Sequence, residues 1–482
     1  MIDQIKSMNI DRIFASFFDE DCFVFENDDI AALRAAIGFH RHSGLSSAAL
    51  ITGEHASSKE IVEACERGSL SIMVVVISPD WEKTQSRLAA LMDVSRWFFV
   101  PSFDSELPPL SAKAVAFDTD YSLLNVFMGC AKRPVILLGK DIDTEDIPSI
   151  LQKKLPITVT ADSIDRIPEY HPLFVGRVGP DGDRNGNFVV QNADLILLLG
   201  ETEALQTRRE TFGREAHIVS VSNRSLFSHV FYNAPVSVFL QNWKPAPNDP
   251  DPNWIPTCKR WKEQWGKDLP QIALEDETMN PYHFQGIFHD LFQDTKTIVG
   301  RVGTPWWYPL YQQNHILPGD RFLPVRCKDV LPFTLGCFLS SMEDTRDWIV
   351  FLDDDCLFRL QDLSAVVENE APLKIFCMNH GDRLLLTDDE GYLQRSEEGD
   401  TTLQEVGEML GVRVLSISDY ADMDEIRECS GEVVLVDVAC GKCKPFPIGR
   451  HDLPLEVMEP EAPHALLTEM IISPMPGYGD NI

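Results

Sequence analysis

Apolar and polar positions along this chain follow two alternating rhythms. Over residues 28–42 (DDIAALRAAIGFHRH), Ile30, Leu33 and Ile37 recur at three- to four-residue spacing. That spacing predicts a helix with one buried face. Residues 48–52 (AALIT) then read as a short buried strand, 59–66 as helix, and 71–78 (SIMVVVIS) as a strand covered on both faces. Residues 134–139 (PVILLG), 156–160 (PITVT), 193–200 (ADLILLLG) and 218–222 (IVSVS) repeat the strand pattern. So do residues 297–302, 348–352 (WIVFL), 374–378 (KIFCM) and 432–438 (EVVLVDV), after a helical pattern over 280–292. Strands separated by helices predict parallel sheets. The stretch 242–256 (NWKPAPNDPDPNWIP) is dense in Pro, Asp and Asn and reads as an extended linker. We therefore expect an α/β protein of three domains with parallel sheets: residues 1–110, 115–245 and 268–482, with a linker over 246–267.

Composition narrows the classes. Apolar residues make up 44% of the 482 positions, enough for several cores and against extended disorder. A net charge of −33 sets up a field that repels a phosphate backbone, so nucleic-acid binding is not expected. No run of about 18 apolar residues predicts a membrane span. The first residues, MIDQIKSMNIDRIF, do not read as a secretory signal. Eleven scattered cysteines, an odd number, suit reduced thiols in a cytoplasm better than a disulfide framework.

The most specific motif series lies in the middle third. In order come Gly139, Leu155-Pro156, Ile167-Pro168, His171-Pro172-Leu173, Gly176, Gly179 and Asn192-Ala193-Asp194. This series resembles the central domain of acetolactate synthases and related thiamine-diphosphate enzymes acting on 2-oxoacids. Weaker matches flank it: Asn280-Pro281-Tyr282, Val302-Gly303, Leu331-Pro332, Gly336 and residues 360–363. The resemblance implies a pyrimidine-binding-like N-terminal domain, a central domain and a diphosphate-binding-like C-terminal domain. Thiamine diphosphate and magnesium are the cofactors it implies; whether flavin (FAD) binds the central domain is left open. It also implies a homodimer or homotetramer.

Carried over residue by residue, the family's catalytic glutamate falls on Asp29, nine positions before Gly38 of the segment 38–44 (GFHRHSG). The glutamate promotes the imino form of the aminopyrimidine. Aspartate is shorter by roughly 1 Å, a loss on the order of 100-fold in rate. On the residues alone, Asp28 and Asp29 equally read as the acidic start of a helix. The turn after the next strand keeps Gly53 but carries Glu54 and His55, either a polar cap or acid–base groups.

The magnesium–diphosphate motif falls on residues 352–355 (LDDD) and Asn379-His380, giving Asp353, His380 and Asp382 as metal positions. Asp354 and Asp355 replace a glycine and a serine beside the diphosphate. Loss of glycine restricts close backbone approach, and added carboxylates repel the anion. Gly303, Arg326 and Lys328 complete the cofactor-binding positions, the last two replacing a glycine-rich turn. These basic groups either meet an anion or pair with Asp353–Asp355.

Cys440 and Cys443, with Cys429 and His451, have a zinc-like spacing but read by default as ordinary thiols. Trp306, Trp307 and Tyr308 read by default as core. The expected function is an acetolactate-synthase-like protein with an altered cofactor site, working in a non-catalytic or repurposed role. The alternatives are an active 2-oxoacid decarboxylase or carboligase with a rebuilt site for manganese, iron or zinc, and a different chemistry using His55, His380 and the acidic cluster.

Overall fold

The computed structural model describes residues 2–52, 72–100, 120–265, 281–352, 358–417 and 422–459, with short gaps inside several of these ranges; all that follows concerns those residues. The strand patterns become three parallel sheets. In the first, β1 (Arg12–Ala15), β2 (Phe23–Val24), β3 (Ser47–Ile51), β4 (Met73–Ile77) and β5 (Trp97–Val100) run in the order β2-β1-β3-β4-β5. The second contains β6 (Pro134–Leu138), β7 (Ile157–Val159), β8 (Phe174–Arg177), β9 (Leu195–Leu199), β10 (His217–Ser222) and β11 (Val230–Asn233). Its order is β11-β10-β9-β6-β7-β8, so the winding reverses between β6 and β9. The third holds β12 (Lys296–Arg301), β13 (Arg321–Val325), β14 (Asp347–Leu352), β16 (Leu373–Asn379), β19 (Arg413–Ile417) and β20 (Val434–Ala439), in the order β13-β12-β14-β16-β20-β19. A small antiparallel sheet joins β15 (Phe358–Arg359), β18 (Tyr392–Ser396) and β17 (Leu384–Thr387). Another pairs β21 (Ile448–Gly449) with β22 (Met458–Glu459).

The chain divides into two compact units. One comprises residues 1–113, 276–307 and 319–443 and holds the first and third sheets. Its central contact is a helix pair, Asp29–Ser43 against Val330–Leu339. Alanines 31, 32, 35 and 36 give the first helix a thin wall, and both helices are buried along most of their length. At the crossing a Cβ on Gly38 would lie 2.0 Å from the Phe333 carbonyl oxygen, and one on Gly336 would lie 1.9 Å from that of Ala35. Only glycine fits at either point. Strand side chains such as Val74, Val76, Val299, Val350 and Ile375 join the same apolar cluster. Behind the third sheet, Phe284, Phe288, Phe292, Phe351 and Phe376 stack edge and face upon one another.

The other unit comprises residues 114–275, 308–318 and 444–482 and holds the second sheet. Its motif residues have local tasks. Asp194 accepts the backbone N–H groups of Lys132 and Arg133, both at 2.8 Å, which fixes the entry into β6 against the entry into β9. Asn187 brackets Gly179 by accepting from its N–H and donating to its carbonyl, each at 2.9 Å. Gly176 has φ +135°, and a Cβ there would strike Asn185 and the backbone of Gly186.

The stretch expected as an extended linker turns into the helix Trp254–Trp265. Trp254, Cys258, Trp261 and Trp265 face the central core at helical spacing, and Phe188 meets two of the indoles edge-on. The Pro/Asp run ends where this periodicity begins, and burial of the tryptophans outweighs its loop-like composition. Among the described residues, no helix is long and apolar enough to cross a membrane.

Candidate functional site

The first acidic residues of the Asp29–Ser43 helix have separate roles. Asp28 precedes the helix, and its Oδ1 accepts the N–H of Ala31 at 2.9 Å, an N-cap contact. Asp29 is fully buried. Its Oδ1 accepts the backbone N–H of Thr52 at 2.9 Å and lies 3.4 Å from the Thr52 hydroxyl. That carboxylate ties the start of the helix to the residue just past β3. Both acidic groups also sit at the positive end of the helix dipole.

One turn further along, Arg34 is 1% exposed and faces Asp329 with Nε to Oδ2 at 3.7 Å. Asp329 immediately precedes the Val330–Leu339 helix and is itself buried. Opposite charges therefore meet inside the helix pair. The far end of the crossing is also polar. Arg41 donates to the Pro324 carbonyl at 3.3 Å, and Arg321 donates to the carbonyls of His42 and Arg41 at 2.6 and 3.2 Å. Cys337 donates its thiol hydrogen to the Gly38 carbonyl at 3.1 Å, and burial pushes that thiol up, away from thiolate chemistry.

At the carboxyl edge of the third sheet, Gly303 follows β12 with φ +87° and open space where a Cβ would stand. Val302 donates to the Val325 carbonyl at 2.8 Å. The exits of β12 and β13 therefore lie side by side, with half-buried Arg326 directly after β13. Strands β14 and β16 are neighbours in register, Leu352 opposite Cys377. The carboxyl ends of β14 and β16 thus lie at one edge of the sheet.

Of the residues expected at the site, Asp29, Gly303 and Arg326 are described. Gly53, Lys328, Asp353, Asp354, Asp355, His380 and Asp382 lie outside the described residues, as do Glu54, His55, Trp306, Cys440, Cys443 and His451. Among the described residues, no group of three or more His, Cys, Asp or Glu is placed to hold a metal. Trp307 is buried and packs on Phe322, in keeping with a core role.

Thr52, Arg34 and Asp329 were not singled out from the sequence. A signal existed for Arg34, because a lone charge interrupts the otherwise apolar run AALRAAIG. None existed for its pairing with Asp329, almost 300 positions away.

Residues 127–240 match the family model described as the thiamine pyrophosphate enzyme central domain. The chain is similar to the acetolactate synthase isozyme 1 large subunit of Escherichia coli (strain K12), at 24% identity over 271 residues, covering 52% of this chain and 47% of that protein. It is also similar to the acetolactate synthase large subunit of Cyanidium caldarium, at 20% identity over 284 residues, 52% of this chain and 46% of that one. The chain thus spans about half the length of the curated relatives it matches. Among solved structures it is similar to the Rhodococcus jostii RHA1 thiamine diphosphate-dependent 4-hydroxybenzoylformate decarboxylase, with a TM-score of 0.67 at 15% identity over 92% of this chain and 98% of that one. At that identity the likeness establishes the fold.

Proposed function

We propose, from the premise that this chain belongs to the acetolactate-synthase-like group of the thiamine-diphosphate enzyme family, that its cofactor site has been converted to a structural joint and that it works in a non-catalytic or repurposed role. The observation that carries this reading is the buried Asp29 carboxylate, whose Oδ1 is held by the Thr52 N–H. The Arg34–Asp329 pair supports it by placing two charged side chains inside the helix crossing. In this described part of the site the residues do not fit thiamine diphosphate. One Asp29 oxygen already accepts a backbone N–H, and the buried Arg34–Asp329 pair occupies the start of the facing helix. The acidic run Asp353–Asp355 adds like charge next to the diphosphate position in the sequence.

On this reading the protein keeps the three-sheet fold and forms a homodimer or homotetramer in the cytoplasm, with protein rather than nucleic acid as its partner. Isothermal titration of the full chain with thiamine diphosphate and magnesium tests it. The expectation is no binding at tens of micromolar, with native mass spectrometry of the purified protein showing the bare polypeptide. Tight, stoichiometric binding would overturn the proposal.

Gly303 favours the second reading, an active 2-oxoacid decarboxylase or carboligase with a rebuilt metal site, because its positive φ, with space for a Cβ among the described residues, allows close backbone approach. Carbon dioxide release or acyloin formation from pyruvate or related 2-oxoacids, with cofactor and magnesium or manganese added, would establish that reading.

A further inference from the structure

The helix Ser122–Cys130 (SLLNVFMGC) opens the unit that contains the second sheet and carries no charged residue. Leu124 and Met128 point into the core, and Asn125 accepts from the Trp243 indole at 3.1 Å. The opposite face is exposed: Leu123 at 47% and Val126 at 58%, with Ser122, Gly129 and Cys130 beside them. Phe127, partly buried, stacks on the exposed His217 ring at 4.2 Å and continues that surface.

Among the described residues, no contact accounts for Gly129. Glycine inside a helix costs about 1 kcal/mol relative to alanine, yet a Cβ there would meet nothing within 4 Å. The notch is therefore open outward.

We propose that this face is a contact between two copies of the chain, with their Ser122–Cys130 helices antiparallel and a two-fold axis at Val126. Sequence symmetry about residue 126 supports that occupant over others. The pairing sets Leu123 of one copy over the Gly129 notch of its partner, twice, which is the shape match between an exposed leucine and an unfilled glycine. It sets exposed Asp120, just before the helix, opposite exposed Lys132, just after it. Lys132 reaches Asp249 but stays 55% exposed, so it remains available to a second carboxylate. Two copies of a chain of net charge −33 repel over most of their surface. This uncharged stripe, flanked by Lys132, Arg133 and His217, is a place where they can approach. One face of a nine-residue helix is well below the ~800 Å² per partner of a standard interface. The contact therefore adds an association step to whatever other interface the chain uses, and it holds whether or not a cofactor binds.

Cysteine chemistry tests the geometry. Cys130 is exposed and free. About the two-fold it lies ~12 Å along the axis from its own copy, beyond the ~7 Å Cα limit of a disulfide, but directly across from residue 122. Ser122→Cys in the full chain, mildly oxidised, should give a disulfide-linked dimer that disappears in Ser122→Cys/Cys130→Ala, while the native chain forms none through Cys130. Val126→Glu, at an exposed position that does not threaten folding, places two carboxylates face to face. It should weaken the association step seen in sedimentation velocity at least about 10-fold. Absence of the Ser122→Cys cross-link in a protein of normal circular dichroism would overturn the proposal. So would unchanged sedimentation of Val126→Glu, the result expected if a different protein covers this face.

Discussion

Replacing Asp29 with glutamate sets the structural and catalytic roles of this position against each other. The family's chemistry calls for glutamate here, so a chain with a working but shortened acid should gain from Asp29→Glu. The geometry predicts the opposite. Asp29 has no exposed surface, and its Oδ1 is already at hydrogen-bond distance from the Thr52 N–H. A hydrogen bond to a charged acceptor contributes about 1.5–3 kcal/mol. Forcing one more methylene into a closed site costs roughly 1–3 kcal/mol. The longer side chain retains part of the bond by bending, so the net loss is about 3 kcal/mol. For a unit of this size that lowers the thermal midpoint by roughly 5 °C.

The assay is thermal unfolding by circular dichroism beside a calorimetric titration with thiamine diphosphate. Asp29→Asn is the control: it keeps the shape and a neutral acceptor and should lose only about 1 kcal/mol. A glutamate variant as stable as the parent, and binding the cofactor where the parent does not, would refute the structural role of Asp29 and with it the main support for a converted site.

Three further outcomes follow from the packing and electrostatics. Glu456 is 1% exposed, accepts from the Gln191 amide at 2.6 Å and pairs with Arg214, so Glu456→Ala should cost about 3–5 kcal/mol in urea unfolding. A double variant with Arg214→Met whose cost equals the sum of the singles would show that the two are not coupled. Gly336→Ala should lose about 3 kcal/mol, because its Cβ would stand 1.9 Å from the Ala35 carbonyl oxygen; an unchanged melting temperature would exclude so close a crossing. Burial, with Asp143 and Glu145 beside it, raises the Asp146 carboxyl to about 6, against about 3.9 unfolded. Between those values the folded chain binds more protons, so this residue makes stability fall as pH rises from about 4 to about 6. Asp146→Asn should flatten that slope and be the more stable protein at pH 7; an identical pH profile would contradict the shift.

The parts of this protein legible in its sequence are those where one physical requirement dominates a short segment. Strands buried on both faces must be apolar throughout, and the run around Val74–Val76 satisfies nothing else. Motif residues such as Asp194 and Gly176 could be matched in order, because each serves a contact fixed within its own unit. Legibility fails where one segment serves two requirements or where the partner is remote. The Pro/Asp-rich approach to Trp254 resembles a linker until the tryptophans find the central core. Asp28 and Asp29 suit both a helix start and a catalytic acid, and the contact of Asp29 with Thr52 leaves no mark in the sequence. Arg34 and Asp329 each look like ordinary charges, and their pairing depends on two glycines that let distant helices touch. The same glycines let the two helices pack through main-chain contact and alanine surfaces. Helix packing of that kind does not depend on the residues at the expected cofactor positions, so the fold and the site can vary independently.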